Sequence, residues 1–396
     1  MSSASQDTRL ESQGPVLSGP DPVSTVRVDA PAKSDWNNPR LARNLFLWPA
    51  LIVVLILAIF PLIASLVLAL SKVSLVKGGF KIDFVGLTNF RTLFLGSERT
   101  HVLGQAGTPT LFGWLVFLGG TALLLVAFVR TVRSRKIRPL GLIGRAVGGL
   151  LLVLLLWSVA TTVLGSGGRP GTLMVTIVYA FSGTLLTYLL GLGLAVLTTQ
   201  RLRGQRFFRI VFLVPLMITP VGVAYMFRML TDTEKGPITP LWRAAGLSDF
   251  TLLGDPWGAR LAVIISDVWQ WTPFMFIVLL AALEGRDLET EEAATVDGAS
   301  KARIFLNITM PALIPVSATV ILIRLIEAFK IIDLPNVLTN GGPGTATESL
   351  TLQSFISWRG FDLGSSAAIA YTLLVVVTMV GIGYATFIIR RTHSMV

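Results

Sequence analysis

Eight apolar runs, each long enough to cross a bilayer, limit this chain's possible folds more than any other feature. They are Leu45 to Leu70, Leu111 to Val129, Ala146 to Leu164, Leu173 to Thr199, Phe207 to Leu230, Arg260 to Leu283, Ala312 to Leu334 and Ala368 to Ile389. A hydrocarbon core about 30 Å thick takes roughly 20 residues of helix to span. Where water is absent the backbone must pair with itself, so the predicted fold class is an all-α membrane protein with eight transmembrane helices. Composition agrees: 53% of the 396 residues are apolar and 14% charged, a balance that leaves little for a water-facing surface.

The net charge of +11 would suit nucleic acid if it formed one patch, but it alternates between loops. With both termini cytoplasmic, 20 Lys and Arg fall in cytoplasmic segments and 11 in external ones, and the positive-inside rule selects that orientation. Arg130, Arg133, Arg135, Lys136 and Arg138 dominate the bias and read as a topology signal rather than an anionic-lipid site. The chain has no cysteine, which excludes disulfides, thiolate metal sites and cysteine nucleophiles. Only two histidines occur, His101 in a loop and His393 at the tail, which argues against a histidine-based triad or metal cluster.

Residues 1–44 are rich in Ser, Pro and Asp and are expected to form a disordered cytoplasmic tail. The first span, with its external loop to residue 110, then acts as an uncleaved anchor. Residues 111–172 read as a transmembrane hairpin around the basic loop, with Gly119, Gly120, Gly148 and Gly149 as candidate close-packing points. Residues 173–391 form the core, followed by a cytoplasmic tail at 392–396. Pro215, Pro220, Pro273, Pro311 and Pro315 are candidate kinks in its spans.

One polar segment interrupts this pattern. Gly285 to Pro311 separates the sixth and seventh runs and begins Arg286-Asp287-Leu288-Glu289-Thr290-Glu291-Glu292-Ala293-Ala294-Thr295-Val296-Asp297-Gly298-Ala299-Ser300. Acids in a first turn, Asp287 as N-cap and Gly298 as stop predict a short surface helix. A second short helix from Ser300 would place Ile304, Phe305 and Ile308 on one face, with Lys301 and Arg303 turned away. Two helices joined by a glycine bend make a knob that a partner's cleft could grip.

Glu292-Ala293-Ala294, Asp297-Gly298-Ala299, then Phe305, Ile308 and Pro311 resemble the EAA signature of permease subunits in binding-protein-dependent ABC importers. Asp267-Val268-Trp269-Gln270-Trp271-Thr272-Pro273-Phe274, Phe329-Lys330-Ile331-Ile332-Asp333 and Leu338-Thr339-Asn340-Gly341-Gly342-Pro343-Gly344 extend the likeness. With Leu47-Trp48-Pro49-Ala50 and Phe84-Val85-Gly86-Leu87-Thr88-Asn89-Phe90, the chain looks like the MalF branch of carbohydrate importers over about residues 45–95 and 173–391. It departs from the pattern at Thr290-Glu291, where the family commonly has Leu-Tyr.

The resemblance implies a six-helix permease core in a bacterial inner membrane, to which the hairpin at 111–164 is an addition. It implies that Glu292, Ala293, Ala294, Asp297, Gly298 and Ala299 contact a cytoplasmic ATPase. The implied partners are a second homologous permease, two ATPase subunits, an extracytoplasmic solute-binding protein and membrane lipid, with no nucleic acid. ATP and Mg would reside in the ATPases. This chain, lacking a G-x-x-x-x-G-K-[ST] phosphate loop, would bind no cofactor and catalyse nothing itself.

Ionisable groups inside spans usually face a cavity or each other, which singles out Asp267, Arg324 and Glu327, with Lys330 and Asp333 near the outer end of the seventh run as a structural pair. Sugars are held by aromatic faces and bidentate polar groups, which suits Gln270, Trp271 and Phe274, with Trp269 nearby. The resemblance adds Thr219 and Tyr225. An importer of glycerol phosphate or a polyol is an alternative, as is an ion-coupled secondary transporter using the buried acids. A membrane-embedded glycosyltransferase would need paired carboxylates or metal-ligand spacing that the sequence lacks.

Overall fold

The structure is a computed structural model describing residues 39–133, 139–199, 204–246 and 251–392. Most of the expected N-terminal tail, together with Arg135, Lys136, Arg138 and His393, lies outside the described residues. The chain divides into two units, residues 1–61 and 62–396.

In the first unit, α1 (Pro39–Val54) runs into a π-helical turn at Leu55–Ile59. The tail boundary expected at residue 44 therefore falls inside a helix, which opens at a proline whose fixed φ suits a first turn.

Most of α2 (Phe60–Ala69) belongs to the second unit. Strands β1 (Ser71–Val76) and β2 (Gly79–Phe84) then form an antiparallel hairpin, followed by α3 (Thr88–Leu95) and α4 (Arg99–Leu103). Two-residue strands β3 (Gly104–Gln105) and β4 (Thr108–Pro109) lead into α5 (Leu111–Arg133) and α6 (Pro139–Ser158), which ends in a π turn at Val159–Val163. The return passes through β5 (Gly165–Ser166) and β6 (Arg169–Pro170), paired with β4 and β3 respectively. The core contains α7 (Thr172–Thr199), α8 (Gln205–Met217), α9 (Pro220–Thr231), α10 (Thr239–Ala244) and α11 (Pro256–Glu284). It continues with α12 (Glu289–Val296), α13 (Lys301–Ile304), a π turn at Phe305–Thr309, α14 (Met310–Phe329), α15 (Asp333–Thr339), α16 (Leu350–Arg359) and α17 (Leu363–Thr392).

Eight uninterrupted spans are not found among the described residues. Six helices are long and apolar enough to cross a membrane: Leu47–Ala69, Leu111–Arg130, Thr172–Thr199, Pro256–Glu284, Lys301–Phe329 and Leu363–Thr386. The run expected as one span from Phe207 to Leu230 is instead two helices, α8 and α9, bent by 98°, and as a broken span it makes a seventh. Pro220 supplies no N–H, and the residue before a proline is driven out of the helical region, so Thr219 is extended at φ −63 and ψ 147. The Ala146–Leu164 run appears as a shorter apolar helix, Gly148–Val163. The short strands also depart from the all-α expectation; they sit between the apolar runs, where strand pairing is open to the backbone.

Two further expectations change. The helix from Ser300 is not a free element, because α13 flows through its π turn into α14, making one span from Lys301 to Phe329. Of the four glycines proposed to pack the α5–α6 hairpin, only Gly120 meets a neighbour, the Leu156 side chain, among the described residues.

The centre of the second unit is α7 against α11. Small residues set their separation: a methyl on Gly191 would come within 2.5 Å of Met275 Cβ. One apolar cluster joins α7, α9, α11 and α15 through Tyr179, Val223, Val263 and Leu334. A second joins α7, α11 and α14 through Ala195, Phe276, Leu279 and Val320.

Candidate functional site

A charged pair sits in the middle of this bundle. Asp267 of α11 and Arg324 of α14 are 4% and 0% exposed, and the Arg324 guanidinium donates to Asp267 Oδ2. A carboxylate and a guanidinium survive in such a place only by neutralising each other. Gly183 of α7 makes the space, since a Cβ there would lie 2.6 Å from Asp267 Oδ2. On its other side Arg324 stacks over the Trp271 ring at 5.0 Å, and Phe274 meets that ring edge-on at 6.0 Å. The pairing expected from sequence ran along the seventh run in steps of three; the structure pairs Arg324 across helices. It also pairs Lys330 with Glu327 at 2.6 Å and not with Asp333, because α14 ends at Phe329 and the chain turns before α15.

The break between α8 and α9 lies beside this pair. Gln270, 4% exposed, donates through Nε2 to the Ile218 carbonyl at 3.2 Å, a group the interrupted helix leaves unpaired. Thr219 caps α9, its Oγ1 accepting from the Gly222 amide at 3.3 Å.

These elements border a pocket of about 130 Å³ lined by Pro220, Asp267, Gln270, Trp271 and Glu327 together with the segment Lys330 to Leu334. Four residues singled out from sequence thus converge: Asp267, Gln270, Trp271 and Glu327. Arg324 lies behind Asp267 and Trp271. Thr219, Tyr225 and Phe274 are not among the lining residues, and Tyr225 is 56% exposed on α9. Trp269 packs edge-on against Phe227 and lines a separate, open apolar groove of about 910 Å³ between α7, α8 and α11.

The 285–311 loop projects between α11 and α14. Helix α12 begins at Glu289, one residue later than Asp287 as N-cap would give, and Asp287 Oδ1 instead accepts from the Glu289 amide at 3.0 Å. Gly298 stops the helix at φ +80, and Ser300 caps α13 by accepting from the Arg303 amide. Glu292, Ala293, Asp297 and Gly298 are exposed, Ala294 and Ala299 half-buried, and no residue of α12 is buried. Ile304 is buried, Phe305 and Ile308 are half-buried, and Lys301 and Arg303 are exposed, as the helical spacing predicts.

Sequence reasoning missed a carboxylate system at the other end of α7. His101 of α4 bonds through Nε2 to Glu348 Oε2 at 3.0 Å and through Nδ1 to Glu98 Oε2 at 3.2 Å. Gln353, which accepts from Thr172 at 2.6 Å, completes the cluster. The hydrogen bond to Glu348, helped by the negative charge of both glutamates, raises the His101 pKa although burial opposes it. No sequence signal linked residues so distant. Among the described residues no three His, Asp or Glu side chains converge as a metal site requires.

Comparison with known proteins fits this architecture. Residues 187–393 match the family described as the inner membrane component of binding-protein-dependent transport systems. The chain is 35% identical over 210 residues to the trehalose/maltose transport system permease protein MalF of Thermococcus litoralis, covering 53% of this chain and 71% of that one. It is 27% identical over 235 residues to the sn-glycerol-3-phosphate transport system permease protein UgpA of Agrobacterium fabrum, covering 59% and 80%. A crystal structure of a bacterial ABC transporter involved in import of the acidic polysaccharide alginate shares the fold at TM-score 0.50 and 20% identity, over 56% of this chain and 80% of that one. The chain is a polytopic membrane permease subunit of an ABC importer. It belongs to the inner-membrane component family of binding-protein-dependent transport systems.

Proposed function

We propose that this chain forms half of the pore of a carbohydrate importer in a bacterial inner membrane, with both termini cytoplasmic. A second homologous permease would form the other half. Two ATPase subunits holding ATP and Mg would supply the work, and an extracytoplasmic binding protein would deliver the solute. The observation that carries this reading is the exposed α12–α13 knob, bent at Gly298 and set directly between two spans.

The geometry supports a lever. Because α13 is continuous with α14, a displacement of the knob acts on the helix that carries Arg324 and Glu327. Its other end leads to α11, which carries Asp267, Gln270 and Trp271. ATPase closure would thus change the relation of α11 to α14, between which the small pocket lies. Their place on its wall supports pathway roles for Asp267, Gln270, Trp271 and Glu327, with Arg324 holding Asp267 and Trp271. Thr219, Tyr225 and Phe274 would shape the route from outside that wall.

A pocket of about 130 Å³ falls well below the roughly 300 Å³ at which ligand sites begin, so a sugar would need a second wall from the partner permease. The indole of Trp271, with the amide and carboxylates around it, suits a hydroxylated ring. The relatives described above include trehalose, maltose and glycerol phosphate systems, which favours carbohydrate and keeps glycerol phosphate as the second reading.

The test is uptake and ATP hydrolysis by the native complex carrying Gly298→Asp. Insertion should persist while hydrolysis no longer drives uptake of maltose or trehalose; undiminished uptake would remove the knob from the coupling path.

A further inference from the structure

Helix α12 is poorly anchored by packing. None of its eight residues is buried. Beneath it lies a cavity of about 550 Å³ walled by Val196, Leu283, Ile304 and Phe305. The segments at its two ends contain Gly285 and Gly298, where backbone torsions change cheaply. A load on such a helix would be absorbed by bending at these ends before any span moved.

One side chain opposes that bending. The Arg286 guanidinium donates from Nη2 to Glu291 Oε2 at 3.0 Å and forms an ion pair with the carboxylate, its Nε 2.9 Å from Oε1 without hydrogen-bond geometry. Thr309, itself 4% exposed, donates from Oγ1 to Glu291 Oε1 at 2.6 Å. Arg286 lies just beyond the end of α11, Glu291 is in the first turn of α12, and Thr309 ends the π turn that opens α14. One carboxylate therefore ties three elements together. The two charged side chains are only 21% and 17% exposed, which protects the contact from screening. Glu291 is also where the sequence departs from the usual Leu-Tyr of the family.

We propose that Glu291 is the positioning residue that makes α12 move as one body with α11 and α14, turning a flexible loop into a stiff lever. This rests on the reading of the loop as the ATPase contact. Glu291 need not touch the ATPase; it acts through Arg286 and Thr309.

Hydrogen exchange on the intact native complex, with and without the non-hydrolysable ATP analogue AMP-PNP, separates the two ideas. In the parent, nucleotide should change exchange both in 289–296 and in 304–312. In Glu291→Ala the change should persist at 289–296 and be lost at 304–312, with the ATPase still copurifying. Equal responses of both segments in both proteins would overturn the latch alone, as would loss of the ATPase from the variant, which would make Glu291 a docking contact. No response of either segment in the parent would remove the loop reading and the latch with it. Should Glu291→Ala not accumulate, Thr309→Val removes one of the two hydrogen bonds and carries the same expectation and the same overturning results.

Discussion

At the scale of single residues, the buried Asp267–Arg324 pair decides the most. Truncating one partner strands the other charge, so Asp267→Ala or Arg324→Ala should each cost about 3–5 kcal/mol. Replacing both by Leu and Met should cost clearly less, and thermal unfolding of the purified protein would rank the three variants. Both residues were visible in sequence as costly intramembrane charges. Their partnership was not, because a chain displays only neighbours three and four apart, and this contact crosses helices. His101 carries a second expectation. Its pKa is raised in the fold, so its stabilising contacts with Glu98 and Glu348 are fully present below the ordinary histidine value of about 6.5 and are lost as pH rises through the raised one. Gln353 and Thr172 face the same cluster without titrating in this range. Melting temperature in the parent should fall as pH rises from below that ordinary value through the raised one. The decline should be smaller in His101→Gln; equal slopes would show that the cluster adds nothing.

At the scale of elements, the broken α8–α9 span and the knob depend on different kinds of constraint. Gln270 repairs the backbone where the span breaks, so Gln270→Leu should cost about 1–3 kcal/mol by leaving the Ile218 carbonyl bare. A melt indistinguishable from the parent's would show that another donor takes over. Gly298 is constrained only by its left-handed torsion, since a Cβ there meets nothing within 4 Å. Gly298→Asn should therefore be better tolerated than Gly298→Val, which would carry about 1–2 kcal/mol of backbone strain; equal melting of the two would contradict this. Gly298 as a stop was legible because glycine ends helices for a local reason. The break at Ile218 was only half legible: Pro215 and Pro220 marked a kink, but neither its 98° angle nor the Gln270 contact that serves it could be read from the chain.

At the scale of the whole molecule, the α5–α6 hairpin reads as an insertion into the permease core. Gln105 and Arg169 are register partners of β3 and β6, so the chain leaves and returns at one point. Replacing residues 106–168 by an Asn-Gly turn should close the core without strain. The shortened chain is expected to insert and to copurify with the ATPase proposed above; loss of insertion would show that the hairpin is needed to build the bundle. Its two apolar runs and the basic loop between them were visible in sequence. Its attachment through two-residue strands was not, because pairs that short leave no periodic trace.

The sequence by itself determined that the chain is a helical membrane protein, where its apolar runs lie and where its polar loop interrupts them. These are local properties, imposed residue by residue by the exchange of water for lipid. Only the tertiary structure decided that Asp267 meets Arg324 over Gly183, that Gln270 serves a broken helix, and that Glu291 binds α12 to both neighbouring spans. Each of those contacts joins residues of different segments that the fold brings together, and its stability comes from the space and the lost solvation that packing creates.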